Sequence, residues 1–260
     1  MNILKTIDFK RYSSIKIGPQ KDVLVINEIG DYSDYHIIGK ANNLLISPLC
    51  EKQFAVLGEE FDYIKEENGL LYVGCATSSG KLLTYTRKND IANLEFLAKL
   101  PGNMGGLAKM NAGLKSWEVF NYVHSIKTKD GYIKKQDVNY SYRETKIDTI
   151  IYEIVFNIEK GFSKDSLKEF TKMRDNQPHM ASAGSCFKNP KGDYAGRLIE
   201  AVGLKGYKKG DMSFSSEHAN FLVNYGDGTY EDAMYLIDLA KSKIKEEFDI
   251  NIEEEIIVYK

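Results

Sequence analysis

Residues 181–193 read ASAGSCFKNPKGD, a stretch with little to offer a packed core. Two serines, a cysteine, a lysine and an asparagine stand among glycines, ahead of Pro190 and Asp193. A hydroxyl is a poor acid. Ser185 therefore suits proton donation only toward a strongly basic carbon such as that of an enediolate. The competing chemistry, a nucleophilic serine, needs a base and a GxSxG elbow; no such elbow surrounds Ser185, and no histidine is placed by sequence to activate it. Arg143, in YSYRET, is permanently charged and can hold a carboxylate through two parallel hydrogen bonds. Taken alone it also reads as a surface arginine at a strand end. Glu253 to Glu255 alone read as a solvated acidic run.

Two glycine turns add a second kind of chemistry. The first, GKANNLL, lies between apolar runs; the second, PGNMGGLAKMNAG, carries Gly102, Gly105, Gly106 and Gly113 behind Pro101. Glycines admit close backbone approach, and successive N–H groups in such turns can form anion-binding nests. The plain alternative is a structural loop. Neither turn belongs to a GxGxxG element between strand and helix, and GxxxxGK[ST] is absent, which excludes the common dinucleotide and P-loop signatures.

Composition narrows the class. The 260 residues are 43% hydrophobic and 28% charged, with formal net charge −2, so the chain can bury a core and has no basic field for nucleic acid. No apolar run approaches the roughly 20 residues of a membrane span, and the first residues lack the apolar centre of a secretory signal. Cys50, Cys75 and Cys186 are odd in number with no CxxC, and His36, His124, His179 and His218 show no metal spacing. A cytoplasmic protein without a metal site is expected.

The elements that must position these residues are α+β. Strands are predicted at 22–29, 35–39, 43–47, 70–75 and 149–159, each β-rich and bounded by turns. A helix follows Ser78 or Ser79, with Leu82, Leu83 and Tyr85 inward, and another spans 164–175. In DYAGRLIEAVGL, Ala195, Leu198, Ile199 and Val202 share a helical face, with Asp193 as N-cap and Gly203 as the stop. The long segment after Thr229 repeats the pattern with Ala233, Ile237, Ala240 and Ile244, and the chain closes on a strand. A soft boundary falls near residue 160. The alternating lysines and glutamates of 241–247 read as a solvated helix face.

Taken in order, GKANNLL, LEFLAKLPGNMGG…MNAG, YSYRET, SAGSCFKNPKGDYAGRLIEAVGLKGYKKG, SSEHANFLVN and IEEEI resemble the UDP-N-acetylenolpyruvoylglucosamine reductase family, in its compact second type. The resemblance runs through nearly the whole chain. It implies a vanillyl-alcohol-oxidase type FAD-binding fold of two lobes, 1–57 and 58–160, with an α+β substrate-binding domain at 161–260. It also implies FAD as cofactor, NADPH as hydride-donating co-substrate, UDP-N-acetylglucosamine enolpyruvate as substrate, and a monomer. Three motifs depart from the family pattern: the first turn is usually GxGSN, the usual glycine-rich lead into LEFL is here NDIAN, and the closing motif, usually EPEVR, here lacks its proline and arginine.

Carried onto this sequence, the resemblance assigns catalysis to Ser185, Arg143 and Glu255. Ser185 would protonate C2, while Arg143 and a protonated Glu255 would stabilise the enediolate left by hydride addition at C3. Glu253 is the fallback should the register shift by one pleat. FAD would be met by Gly39, Lys40, Ala41, Asn42, Asn43 and Leu44, and by Pro101, Gly102, Asn103, Met104, Gly105, Gly106, Asn111, Ala112 and Gly113. Substrate would be met by Tyr142, Lys188, Asn189 and His218, although His218 reads equally as a hydrogen-bonded structural histidine. Gly184 would permit tight approach, and Cys186 reads as a small packing residue. Two alternatives remain open: another FAD-dependent oxidase or dehydrogenase of the same fold, or a catalytically silent binding protein for flavin or a sugar nucleotide.

Overall fold

In LLYVG, every second side chain faces the same way, and Leu71 and Val73 are fully buried. That alternation builds the main sheet of the first of two compact units in a computed structural model, which describes residues 1–260. The first unit comprises residues 1–5, 22–39 and 53–175; the second comprises 6–21, 40–52 and 176–260. Residues 6–21 and 40–52, expected in the first lobe, thus belong to the same unit as the C-terminal residues. The expected α+β class is found, with strands and helices mixed in both units.

The sheet of the first unit runs Gly131–Lys134, Val123–Thr128, Glu153–Asn157, Leu70–Gly74, Ile64–Glu67, every neighbour antiparallel. Helices Ser79–Lys88, Met104–Lys109 and Lys164–Met173 contribute Leu82, Met104 and Phe170 to its core. Each fully buried side chain of this size adds about 1.5–3 kcal/mol. The first helix starts where expected, with Ser78 Oγ accepting from the Lys81 N–H. Separately, Phe54–Leu57 pairs in parallel with Val23–Ile26 and with His36–Ile37.

The second unit has a sheet ordered Ala181–Ser185, Phe221–Asn224, Met212–Phe214, Lys208–Lys209, again antiparallel. Helices Ala195–Ala201 and Tyr230–Phe248 pack their apolar faces into its core. Thr229 caps the long helix by accepting from the Asp232 N–H, and Ala233, Ile237, Ala240 and Ile244 are all fully buried, as the spacing predicted. Gly203 ends the shorter helix at φ +75°, where a left-handed residue closes the last turn.

The expected cap of that helix needs correction. The residue at the cap is Tyr194, whose side chain does not cap, and Asp193 instead accepts from the Tyr194 N–H and from Arg197. Those bonds pull the Asp193 carboxyl down to about 2. The helical N–H of Ala195 is satisfied by Asn189 Oδ1 at 3.0 Å. The closing strand is also shorter than read: only Ile257–Tyr259, which pairs in parallel with Leu44–Ile46.

Candidate functional site

Ser185 ends its strand at an irregularity. Ala181 and Ser182 pair with Asn224 and Val223, then the register shifts before Ser185 meets Phe221. Gly184 causes the shift with φ +79°, and a Cβ there would find nothing within 4 Å. Its glycine is therefore required by backbone conformation. Ser185 is half-buried, and its hydroxyl makes no hydrogen bond within the chain.

The residues after Ser185 are fixed from two sides. Asn220 brackets Phe187, accepting its N–H at 3.0 Å and donating to its carbonyl at 2.8 Å, and the Cys186 N–H donates to the Asn220 carbonyl. On the other side lie 253–256: Lys188 N–H donates to the Glu253 carbonyl, and the Glu255 and Ile256 N–H groups donate to the Cys186 carbonyl. Ser185 and Glu255, distant in sequence, are thereby attached to one backbone carbonyl or its immediate neighbour. Cys186 is fully buried in the apolar core, and burial pushes its thiol well up, so it packs as expected.

The acidic run divides in three. Glu253 is exposed and pairs with Lys188 at 3.4 Å. Glu254 pairs with Lys241 at 2.7 Å. Glu255 is half-buried, and its carbonyl accepts from Asn43 Nδ2 at 2.9 Å. Of the four assigned substrate residues, Lys188 and Asn189 thus lie on the Ser185 loop, and Asn189 holds the helix start. His218 behaves as a structural histidine: its Nδ1 accepts from the Asn220 N–H at 3.3 Å, and its ring lies edge-on to Phe221 at 5.0 Å. Burial holds it below the ordinary imidazole value.

Arg143 belongs to the first unit, at the tip of the hairpin joining Tyr140–Ser141 and Glu144–Thr145. Its φ of +59° is a left-handed conformation that costs a non-glycine residue about 1–2 kcal/mol. Its Nη2 donates to the Gly113 carbonyl at 3.2 Å, its Nη1 lies 3.5 Å from Glu118 Oε1, and its guanidinium sits 4.8 Å from the centre of the Tyr142 ring. Asn111 orders this group. It donates to Glu118 Oε2 at 2.9 Å and to the Ser141 carbonyl at 3.0 Å, and it accepts from the Phe120 N–H. Burial pushes Glu118 up, against the pull of Arg143 and Asn111.

Residues 176–259 match the family model described as UDP-N-acetylenolpyruvoylglucosamine reductase, C-terminal domain. The chain is 45% identical over 259 residues to the UDP-N-acetylenolpyruvoylglucosamine reductase of Campylobacter jejuni strain RM1221, covering 97% of this chain and 99% of that one. The chain belongs to the UDP-N-acetylenolpyruvoylglucosamine reductase family. The Helicobacter pylori strain J99 reductase is 44% identical, with 96% and 97% covered. The crystal structure of the Thermus caldophilus reductase superposes with TM-score 0.88 at 25% identity, covering both chains fully. Family membership makes the chain an oxidoreductase with the fold the resemblance implied.

The reductase family's two glycine turns can be tested for fit to FAD. In the first, Ala41 adopts φ +49° and is buried, and Asn42 Oδ1 is buried without a partner. In the second, Gly102 has φ +128°, Asn103 Oδ1 is buried without a partner, and a Cβ on Gly106 would meet open space. Orphaned amide oxygens beside open backbone suit a polar ligand, so these residues fit. Met104 and Gly105 are not free nest donors, since their N–H groups donate to the carbonyls of Thr77 and Cys75. Both side-chain N–H donors of Asn111 are engaged inside the unit. Gly113 is required because a Cβ there would fall 2.0 Å from the Trp117 carbonyl oxygen.

Sequence reasoning missed Asn220 and Glu118. Asn220 lies in SSEHANF, a motif read only for its histidine. Glu118 carries no local signal, because its partner Arg143 lies far along the chain.

Proposed function

We propose that this protein reduces UDP-N-acetylglucosamine enolpyruvate to UDP-N-acetylmuramate, with FAD as cofactor and NADPH as co-substrate. Residues of the two glycine turns, Gly39 to Leu44 and Pro101 to Gly106, would hold FAD. When bound, FAD supplies the chemistry of accepting a hydride from NADPH and giving it to C3 of the enol ether.

The residues of this chain handle the charge and the proton. Hydride arrival at C3 moves the double-bond electrons toward the carboxylate, giving an enediolate. Arg143 faces that growing charge with a fixed guanidinium, which Glu118 and the Gly113 carbonyl hold in place. A guanidinium so oriented needs no reorganisation as charge develops. Glu255 contributes only as a carboxylic acid, donating its proton in a hydrogen bond. Ser185 gives its Oγ proton to C2 and recovers one from water. Lys188 and Tyr142 bind the nucleotide sugar.

The observation that carries it is the hydrogen bond from the Glu255 N–H to the carbonyl of Cys186, the residue after Ser185, within a chain of this family. The test is anaerobic. NADPH should bleach the flavin of the purified protein, and the enolpyruvyl nucleotide should restore its colour. A bleached flavin that oxygen or alcohol-derived carbonyls reoxidise, while the nucleotide does not, refutes the reading. A monomer in the cytoplasm completes it.

A further inference from the structure

Glu95 is a carboxylate that the first unit buries without a countercharge. It begins the short helix Glu95–Leu97 and is 4% exposed. Its Oε1 accepts from the Ser163 N–H at 2.8 Å, and no lysine, arginine or histidine pairs with it. A charge removed from water is normally met by an opposite charge or by several hydrogen bonds, and one backbone donor supplies little of that.

Glu95 lines a cavity of about 130 Å³ that opens to solvent. That is well above the roughly 10–15 Å³ a single water needs. The walls hold a second carboxylate, Glu169, and four aromatic rings, those of Phe96, Trp117, Tyr122 and Phe170. Trp117 stands edge-on to Phe170 with centres 5.0 Å apart, and Phe96 stacks on Tyr122 at 5.5 Å. No lysine, arginine or histidine lines the space. Burial pushes the Tyr122 phenol up, and the negative charges of Glu95 and Glu159 push it the same way.

Carboxylates among aromatic rings attract a cation that also carries hydrocarbon, because ring faces are negative and ring bodies apolar. A bare metal ion is the wrong cation, since nowhere do three Asp, Glu, His or Cys side chains gather to hold one. We propose that this cavity binds a primary alkylammonium ion, with its ammonium on Glu95 and its alkyl chain among the rings. Glu169 adds a second negative charge from the exposed side. The site uses none of the residues assigned to FAD or substrate and is independent of the proposed function.

Trp117 is the single tryptophan of the chain, so its fluorescence reads occupancy of the cavity directly. The test titrates the FAD-loaded protein with n-propylammonium chloride at constant ionic strength, and with n-propanol as the neutral probe of equal size. The amine should give a saturable change in the millimolar range, and the alcohol none. Glu95→Gln keeps an oxygen for the Ser163 N–H while removing the charge, and should weaken binding by about tenfold or more. Glu169→Gln lies on the exposed side, leaves the core intact and should weaken binding less. An unsaturable response to the amine, or an equal response to the alcohol, overturns the proposal. So does unchanged affinity in folded Glu95→Gln or, if that variant does not fold, in Glu169→Gln.

Discussion

Asn220 holds both backbone groups of Phe187, accepting at 3.0 Å and donating at 2.8 Å, as a neighbouring strand would. Its side chain thus replaces a missing rung of sheet directly after the strand that ends at Ser185. Asn220→Ala leaves a buried N–H and a buried carbonyl without partners, at about 1–3 kcal/mol each. Urea unfolding should show a loss of about 2–4 kcal/mol. A loss below half a kilocalorie would mean water replaces the amide.

Ser185→Ala removes the proposed proton donor without disturbing a hydrogen bond. Reduction of the bound flavin by NADPH should proceed as before in stopped flow. Reoxidation by the enolpyruvyl nucleotide should slow by about 10²–10⁴-fold. Equal slowing of both halves would count against the assignment.

Gly184→Ala isolates backbone strain. With open space around the new methyl, only the φ of +79° resists it. The expected cost is about 1–2 kcal/mol, read as a lowered denaturation midpoint. Activity should fall too, since relaxing φ shifts Ser185.

His218 confers a pH dependence whose sign follows from burial. Its folded value lies below the ordinary 6.5, so the unfolded chain binds more protons in the window between the two. Stability should therefore fall as pH drops through 6.5 and level off once the folded protein is also protonated. His218→Gln should flatten that part of the stability–pH curve. An unchanged curve would show that other groups set it.

Much of the local structure was legible in short windows. Ser78 and Thr229 cap helices as their positions suggested, because a cap is satisfied by an N–H three residues on. Asp193 misled for the same reason: the nearest capping type was read as the cap, whereas Arg197 engaged it and Asn189 did the work. The chemistry-bearing residues were legible as motifs, and their family was too. What each motif residue does with its donors was not. Asn111, which the resemblance assigns to FAD, orders Glu118 and the Arg143 hairpin through its side chain.

The sequence alone determined the longer helices, the apolar faces that bury them and the family to which the chain belongs, since periodicity and capping are local and motifs are linear, whereas the helix Met104–Lys109 lies in a segment read as a glycine turn. Tertiary structure decided which polar groups are used up and which remain. It bound Glu255 to Cys186, paired Glu253 with Lys188 and Glu254 with Lys241, and left the carboxylate of Glu95 with one backbone partner. The reason is physical: a hydrogen bond depends on the position of both its ends within a few tenths of an ångström, and chain folding alone brings distant ends together.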